Sequence, residues 1–145
     1  MPTKPPKSRP KRSRPRFHTD GHRVLIVDDD DSVRALFNAA FARARIGADL
    51  AGSGREAIQY LERSGDKYCC MLLDLKIPPP VGDDIARFAG EKLPQLPIII
   101  ISGHPELTER LPKIGRGSQI KLVMMKPVDP SVVVDYVRGQ CSRTR

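Results

Sequence analysis

Residues 24–31, Val24-Leu25-Ile26-Val27-Asp28-Asp29-Asp30-Asp31, set four large apolar side chains directly against four carboxylates. A continuous apolar run with no polar alternation predicts a strand buried on both faces. Such strands belong to parallel sheets, whose faces are covered by crossover helices. The signature returns at Cys69-Cys70-Met71-Leu72-Leu73, which ends in Asp74. It returns again at Pro97-Ile98-Ile99-Ile100-Ile101, which ends in Ser102-Gly103. A weaker strand, Ala48-Asp49-Leu50-Ala51, and a last one from Ile120 to Met125, followed by Lys126-Pro127, complete a set of five.

Between the strands the apolar spacing changes to that of helices. Val33, Leu36, Phe37, Ala40, Phe41 and Ala44 fall on one helical face, with Gly47 as the stop. Ser53-Gly54-Arg55-Glu56 reads as a capping box that opens a second helix with Ala57, Ile58 and Leu61 inward, closed by Gly65. Pro78-Pro79-Pro80 forbids regular structure after Asp74. Ile85, Phe88 and Ala89 mark a third helix. Pro105 opens a fourth, with Leu107 and Leu111, interrupted by Pro112 and Gly115-Arg116-Gly117. Asp129-Pro130 supplies an N-cap and a first helical position for the last helix, which buries Val133, Tyr136 and Val137. Alternating strands and helices predict an α/β fold, a five-stranded parallel sheet with helices on both faces.

The 145 residues are one domain's worth of chain. No apolar run approaches the roughly 18 residues of a membrane span, and the N-terminus lacks the apolar stretch of a secretory signal. Cys69, Cys70 and Cys141 show no metal-ligand spacing and no disulfide framework, and a reducing cytoplasm suits them. The net charge of +8 is uneven. Residues 1–21 hold seven Lys/Arg, five prolines and a single acid, Asp20. That segment cannot bury enough apolar surface to order itself and reads as a disordered tail. A basic tail can hold nucleic acid or an acidic membrane, but no aromatic residues interleave its charges for stacking, so a solvated leader is the simpler reading. The domain is expected over 22–140, with 141–145 as a short C-terminal tail.

In open α/β sheets, ligands bind beyond the carboxyl ends of the strands. The residues leaving those strands are Asp28 to Asp31, Asp74, Ser102 and Lys126. Several carboxylates, a hydroxyl and an ammonium thus converge on one rim. Crowded carboxylates repel one another. A hard cation such as Mg²⁺ relieves that repulsion. One carboxylate can then attack phosphorus, with a lysine and a hydroxyl near the phosphoryl oxygens. Each residue also has a plainer reading. Asp30 or Asp31 caps the first helix, Ser102 caps the fourth, and Lys126 is a solvated lysine. Their coincidence on one rim favours chemistry. His18, His22 and His104 read as ordinary tail or surface residues, and Tyr60, Tyr68 and Tyr136 as packing residues.

Val24-Leu25-Ile26-Val27-Asp28-Asp29, Leu72-Leu73-Asp74-Leu75-Lys76-Ile77-Pro78, Gly82, Ile101-Ser102-Gly103 and Lys126-Pro127 together resemble the response-regulator receiver domain, over about residues 22–140. The resemblance implies a flavodoxin-like strand order 2-1-3-4-5. It implies that Asp74 accepts the phosphoryl group and that Asp29 ligates Mg²⁺ directly, with Asp28 beside it. The backbone carbonyl of Lys76 takes the family's metal-binding position. Ser102 takes that of the mobile hydroxyl, and Lys126 that of the lysine that pairs with the phosphoryl group. The implied partner is a histidine kinase or histidine phosphotransfer protein. The chain departs from the family at Val81, where an acidic residue is usual, at the proline run 78–80, and at Val123, where a switch aromatic is usual.

On this reading the chain is a single-domain response regulator without an output domain. It would signal by protein contact or phosphate relay, and be a phosphoacceptor more than a turnover enzyme. Two rivals share parts of the sequence. Gly52-Ser53-Gly54-Arg55-Glu56-Ala57 fits the G-x-G-x-x-A of a dinucleotide binder. Asp29-Asp30-Asp31-Ser32-Val33 fits the D-x-D-x-V of a haloacid-dehalogenase-like phosphatase using Asp29 and Asp31. The first leaves Asp28, Asp29, Ser102 and Lys126 unexplained. The second lacks an acidic pair on a late strand.

Overall fold

The computed structural model describes residues 23–109 and 119–143, with side chains described through residue 140. The basic segment 1–21, with His18 and His22, and the interruptions at Pro112 and 115–117 lie outside the described residues, as do Leu111 and the Cys141 side chain. Strands β1 (Arg23–Val27), β2 (Gly47–Ala51), β3 (Tyr68–Leu73), β4 (Ile98–Ser102) and β5 (Ile120–Met125) alternate with helices α1 (Asp31–Arg43), α2 (Gly54–Ser64), α3 (Gly82–Lys92), α4 (Pro105–Thr108) and α5 (Pro130–Arg143). All strand pairs are parallel and the order is β2-β1-β3-β4-β5, the expected sheet.

The continuous apolar runs do what their pattern requires. Every residue of β3 and β4 is buried, and so are Val24 to Val27. Alternate side chains feed two cores. Leu25, Val27, Met71, Leu73, Ile98 and Ile100 pack with Ala57 and Leu61 of α2 and Ile85 and Ala89 of α3. Val24, Ile26, Cys70, Leu72, Ile99 and Ile101 pack with Phe37 and Phe41 of α1 and Val133 and Val137 of α5. The sheet is thus clamped from both sides, and the ends of its strands are held rigidly.

Several expectations are corrected in detail. Gly47 does not stop α1 but opens β2. The helix ends at Arg43, and Arg45 makes the turn with a left-handed φ of 63°. Leu36, expected inward, is 52% exposed. The fourth helix is a single turn among the described residues. The last helix runs past residue 140 to Arg143. Cys69 is disulfide-bonded, where the sequence suggested reduced cysteines. Cys70 is a buried free thiol, and burial pushes its pKa up to about 12. Capping follows the sequence more closely. Asp30 caps α1 through Ser32 N and Val33 N. Asp129 accepts from Ser131 N at 2.9 Å. Ser53 Oγ accepts from Glu56 N at 3.2 Å. The return bond of this capping box runs one residue early, since Gly52 N donates to Glu56 Oε1 at 2.6 Å.

Away from the strand-end carboxylates, Asp49 in the middle of edge strand β2 reaches the first residues of β1 and β3 and ties three strands together. It accepts from Arg23 Nη2 at 2.9 Å and from the Tyr68 hydroxyl at 2.7 Å. Partial burial works against its charge, but these two donors outweigh it and hold the Asp49 carboxyl below the usual carboxylate range. The unfolded chain therefore binds this proton more readily, so the stabilisation is present at neutral pH and is lost as pH falls through the folded-state value. Asp49→Asn is expected to lower the Tm at pH 7 and to flatten the acid loss of stability below about pH 5. Thermal melts from neutral pH to about pH 2 check both.

Candidate functional site

The parallel register assembles the site before any side chain is considered. Val27 is paired with Leu73, and Asp74 N donates to Val27 O at 2.9 Å. The next residues along these strands, Asp28 and Asp74, therefore leave the sheet side by side. Ser102 pairs with Met125, and Lys126 N donates to Ser102 O at 2.9 Å. The carboxyl ends of β1, β3, β4 and β5 thus deliver Asp28, Asp74, Ser102 and Lys126 to one rim. The sheet order reverses between β1 and β3, the switch point where an open α/β sheet leaves a crevice.

Asp28, Asp29 and Asp74 each offer a carboxylate oxygen within 4.8 Å of the others. Asp28 and Asp74 are buried, and Asp29 is exposed at the mouth. An all-oxygen donor set with one solvent-facing ligand fits a hard cation that keeps part of its water shell, as Mg²⁺ does. Asp31, the fourth carboxylate of the run, turns away. It pairs with Arg34 and its side chain is 92% exposed. The D-x-D pairing of Asp29 with Asp31 is therefore not built.

Lys126 is the electrostatic centre. Its Nζ lies 2.8 Å from Asp28 Oδ2 and 3.0 Å from Asp74 Oδ2. The remaining oxygens are taken by backbone. Asp30 N donates to Asp28 Oδ1 at 2.9 Å, and Lys76 N donates to Asp74 Oδ1 at 3.0 Å. Burial raises the Asp74 pKa, and Asp28 adds to the rise against the opposing pull of the Lys76 amide and Lys126. Burial alone would lower the Lys126 pKa, but hydrogen bonds and charge from Asp28 and Asp74 raise it overall. Ser102 is fully buried, and its Oγ accepts from His104 N at 3.0 Å. A hydroxyl has one proton of its own to donate, so Ser102 keeps its donor capacity.

Lys76 itself is exposed, while its neighbours Leu75 and Ile77 are buried in the core. They anchor a loop that Gly82 N closes by donating to Leu75 O at 3.2 Å. Sequence reasoning missed Arg34, whose Nη1 donates to Asp28 O at 2.7 Å. The available signal was its position three residues after Asp31, where helical side chains meet. An apolar groove beside Lys126 is lined by Val33, Leu36, Phe37, Ile101, Pro127 and Val128, which explains where the exposed Leu36 stands. Val123, at the position of the expected aromatic, is 43% exposed, with Met125 at 40% next along the same face of β5. Among the described residues, no helix is long and apolar enough to cross a membrane.

Comparison with known proteins agrees with this fold. The profile of the response regulator receiver domain matches residues 24–138. The transcriptional regulatory protein SrrA of Staphylococcus aureus is 33% identical over 122 residues, which is 84% of this chain and 48% of that protein. The chain thus spans about half the length of the curated relatives it matches. A CheY-like receiver domain protein from Methanospirillum hungatei JF-1 superposes with a TM-score of 0.72 at 21% identity, covering 84% of this chain and 94% of that one. The signal receiver domain of a putative Luxo repressor protein from Vibrio parahaemolyticus gives 0.69 at 27% identity, over 83% and 90%. From the strand-end carboxylates to the lysine that joins them, this chain belongs to the response regulator receiver domain family of two-component systems.

Proposed function

We propose that the chain accepts a phosphoryl group on Asp74 from the phosphohistidine of a sensor kinase or phosphotransfer protein. In this reading Mg²⁺ is held by Asp28, Asp29, Asp74 and the backbone carbonyl of Lys76. The phosphorylated form then signals by protein contact or passes its phosphate on. The observation that carries the reading is the Lys126 ammonium, 2.8 Å and 3.0 Å from two buried carboxylates that share a rim with Asp29. A lysine placed to neutralise two acids at a strand end is placed equally well to meet phosphoryl oxygens.

Asp74 is the nucleophile. Its carboxylate oxygen forms the new P–O bond as the donor's P–N bond breaks, and the leaving imidazole nitrogen takes a proton from solvent water. Bound among the aspartates, Mg²⁺ would neutralise charge on the phosphoryl oxygens. Asp28 and Asp29 supply the negative charge that selects a divalent cation. Lys126 transfers its hydrogen bonds from Asp74 to an oxygen of the arriving group. Ser102 donates its free hydroxyl proton to another oxygen, while the His104 amide keeps Oγ in place.

In the presence of Mg²⁺ and a phosphorylated histidine kinase, or acetyl phosphate, the wild-type chain is expected to gain one phosphoryl mass on Asp74. Asp74→Asn is expected to gain none. Mass spectrometry of peptides locates the label, and a label on any other residue overturns the reading. Lys126→Ala separates two roles of the lysine. Its phosphorylation rate is expected to fall by about 10²-fold or more, the usual effect of removing one preorganised charge-stabilising group. Its Mg²⁺ affinity is expected to rise, because Nζ no longer competes for Asp28 and Asp74. Rate measurement and calorimetric titration check the two arms.

A further inference from the structure

The turn Gly52-Ser53-Gly54 joins β2 to α2 and meets the Asp74 loop directly and the Asp28–Asp29 loop through the Arg34 side chain. Arg34 reaches across from α1 and lies against Gly52. A Cβ at Gly52 would stand 2.9 Å from Arg34 Nη1 and 3.3 Å from its Cζ. From that seat Nη1 donates to Asp28 O at 2.7 Å, and Nη2 pairs with Asp31. The Arg34 side chain is only 18% exposed. On its other side the turn carries the proline run. A Cβ at Gly54 would collide with the carbonyl oxygen of Pro80 and stand 2.8 Å from its carbonyl carbon. Gly54 N also donates to Pro78 O at 3.4 Å. Pro78 and Pro80 belong to the same loop as Asp74 and the Lys76 amide that holds it. The turn is itself fixed by the capping bonds between Ser53, Gly52 and Glu56.

We propose that the Gly52–Gly54 turn, with Arg34 and Pro80 seated on its two glycines, is a positioning element that sets the spacing between the Asp28–Asp29 loop and the Asp74–Lys76 loop, and with it the Mg²⁺ affinity of the cluster. This rests on the reading of the cluster as an Mg²⁺ site. A metal ligand held 1 Å out of place loses much of its contribution, which is why partners beyond the ligands commonly govern affinity. Arg34 and Gly54 act from opposite sides of one turn, so each can be tested without the other.

The test compares wild type, Arg34→Gln, Arg34→Lys, Gly54→Ala and the control Gly139→Ala, at which a Cβ meets nothing within 4 Å. Mg²⁺ titration by calorimetry on the full chain is paired with amide hydrogen exchange at Lys76 in the metal-free protein. Arg34→Gln and Gly54→Ala are expected to weaken Mg²⁺ binding by about tenfold or more and to speed exchange at Lys76. Gly139→Ala should match wild type, and Arg34→Lys, which keeps a donor for Asp28 O, should recover part of the loss. Removing a positive charge beside an acidic cluster would by itself tighten cation binding, so weakening in Arg34→Gln reports position and not charge. Should Gly54→Ala fail to fold, Arg34→Gln decides alone. Folded Arg34→Gln with wild-type or tighter Mg²⁺ affinity overturns the inference and leaves the proposed function standing. A wild-type chain that binds no Mg²⁺ overturns both.

Discussion

Two buried carboxylates and one ammonium form the interaction on which the site depends. Asp28 and Asp74 are brought together by the backbone ladder, not by mutual attraction. Their strands are paired in register, so the residues that leave them are neighbours whatever their charge. Left alone, such a pair would be held apart or neutralised by protonation. Lys126, arriving on β5, lies between them and makes the arrangement tolerable. The compensation is incomplete, since burial still holds Asp74 above its ordinary value. An acid that the fold keeps basic, beside a cation that the fold keeps charged, is suited to an electrophile carrying negative oxygens.

That arrangement needs a rigid frame. Both faces of β1, β3 and β4 are packed, so a strand cannot slide by one residue without exchanging its two cores. The frame is less complete at β5. Lys121, Val123 and Met125 stand exposed on one face of this edge strand, where α4 offers a single described turn of cover. A large ring at position 123 would cover part of that exposed face. Valine, branched at Cβ and short, has little rotamer freedom with which to report the state of Ser102. Side-chain rotation at position 123 is therefore a poor link between Ser102 and this face.

The centre of the sheet was legible because β1, β3 and β4 are buried on both faces, and burial of that kind leaves an unbroken apolar run. Asp74 and Ser102 were legible for the same reason, since one follows such a run and the other ends it, and Lys126 because it follows the shorter apolar stretch Leu122 to Met125 of the half-exposed β5. What escaped the sequence was decided by contacts across the chain. Gly47 has the composition of a helix stop, but the turn is made two residues earlier by Arg45 in a left-handed conformation that glycine usually takes. Leu36 has helical spacing, yet at its height on α1 the neighbours are Lys126, Pro127 and Val128, which leave a groove. Of four consecutive aspartates, the resemblance singled out Asp28 and Asp29 for the site and left the helix cap open between Asp30 and Asp31. The structure uses Asp28 and Asp29 at the cluster, Asp30 as a cap and Asp31 as a partner for Arg34.

The glycine pair at 52 and 54 shows how one string can serve two unrelated folding problems. In a dinucleotide site, glycines spaced this way let backbone approach a pyrophosphate. Here the space above the same two residues is already filled, by a guanidinium over Gly52 and by a proline carbonyl over Gly54. Pro80 comes from the loop that carries Asp74, and Arg34 comes from α1 and is hydrogen-bonded to the backbone of Asp28. A glycine pattern reports only that something must come close to the backbone. What comes close is settled by the residues elsewhere in the chain that can reach it, and Arg34 and Pro80 are the ones that do.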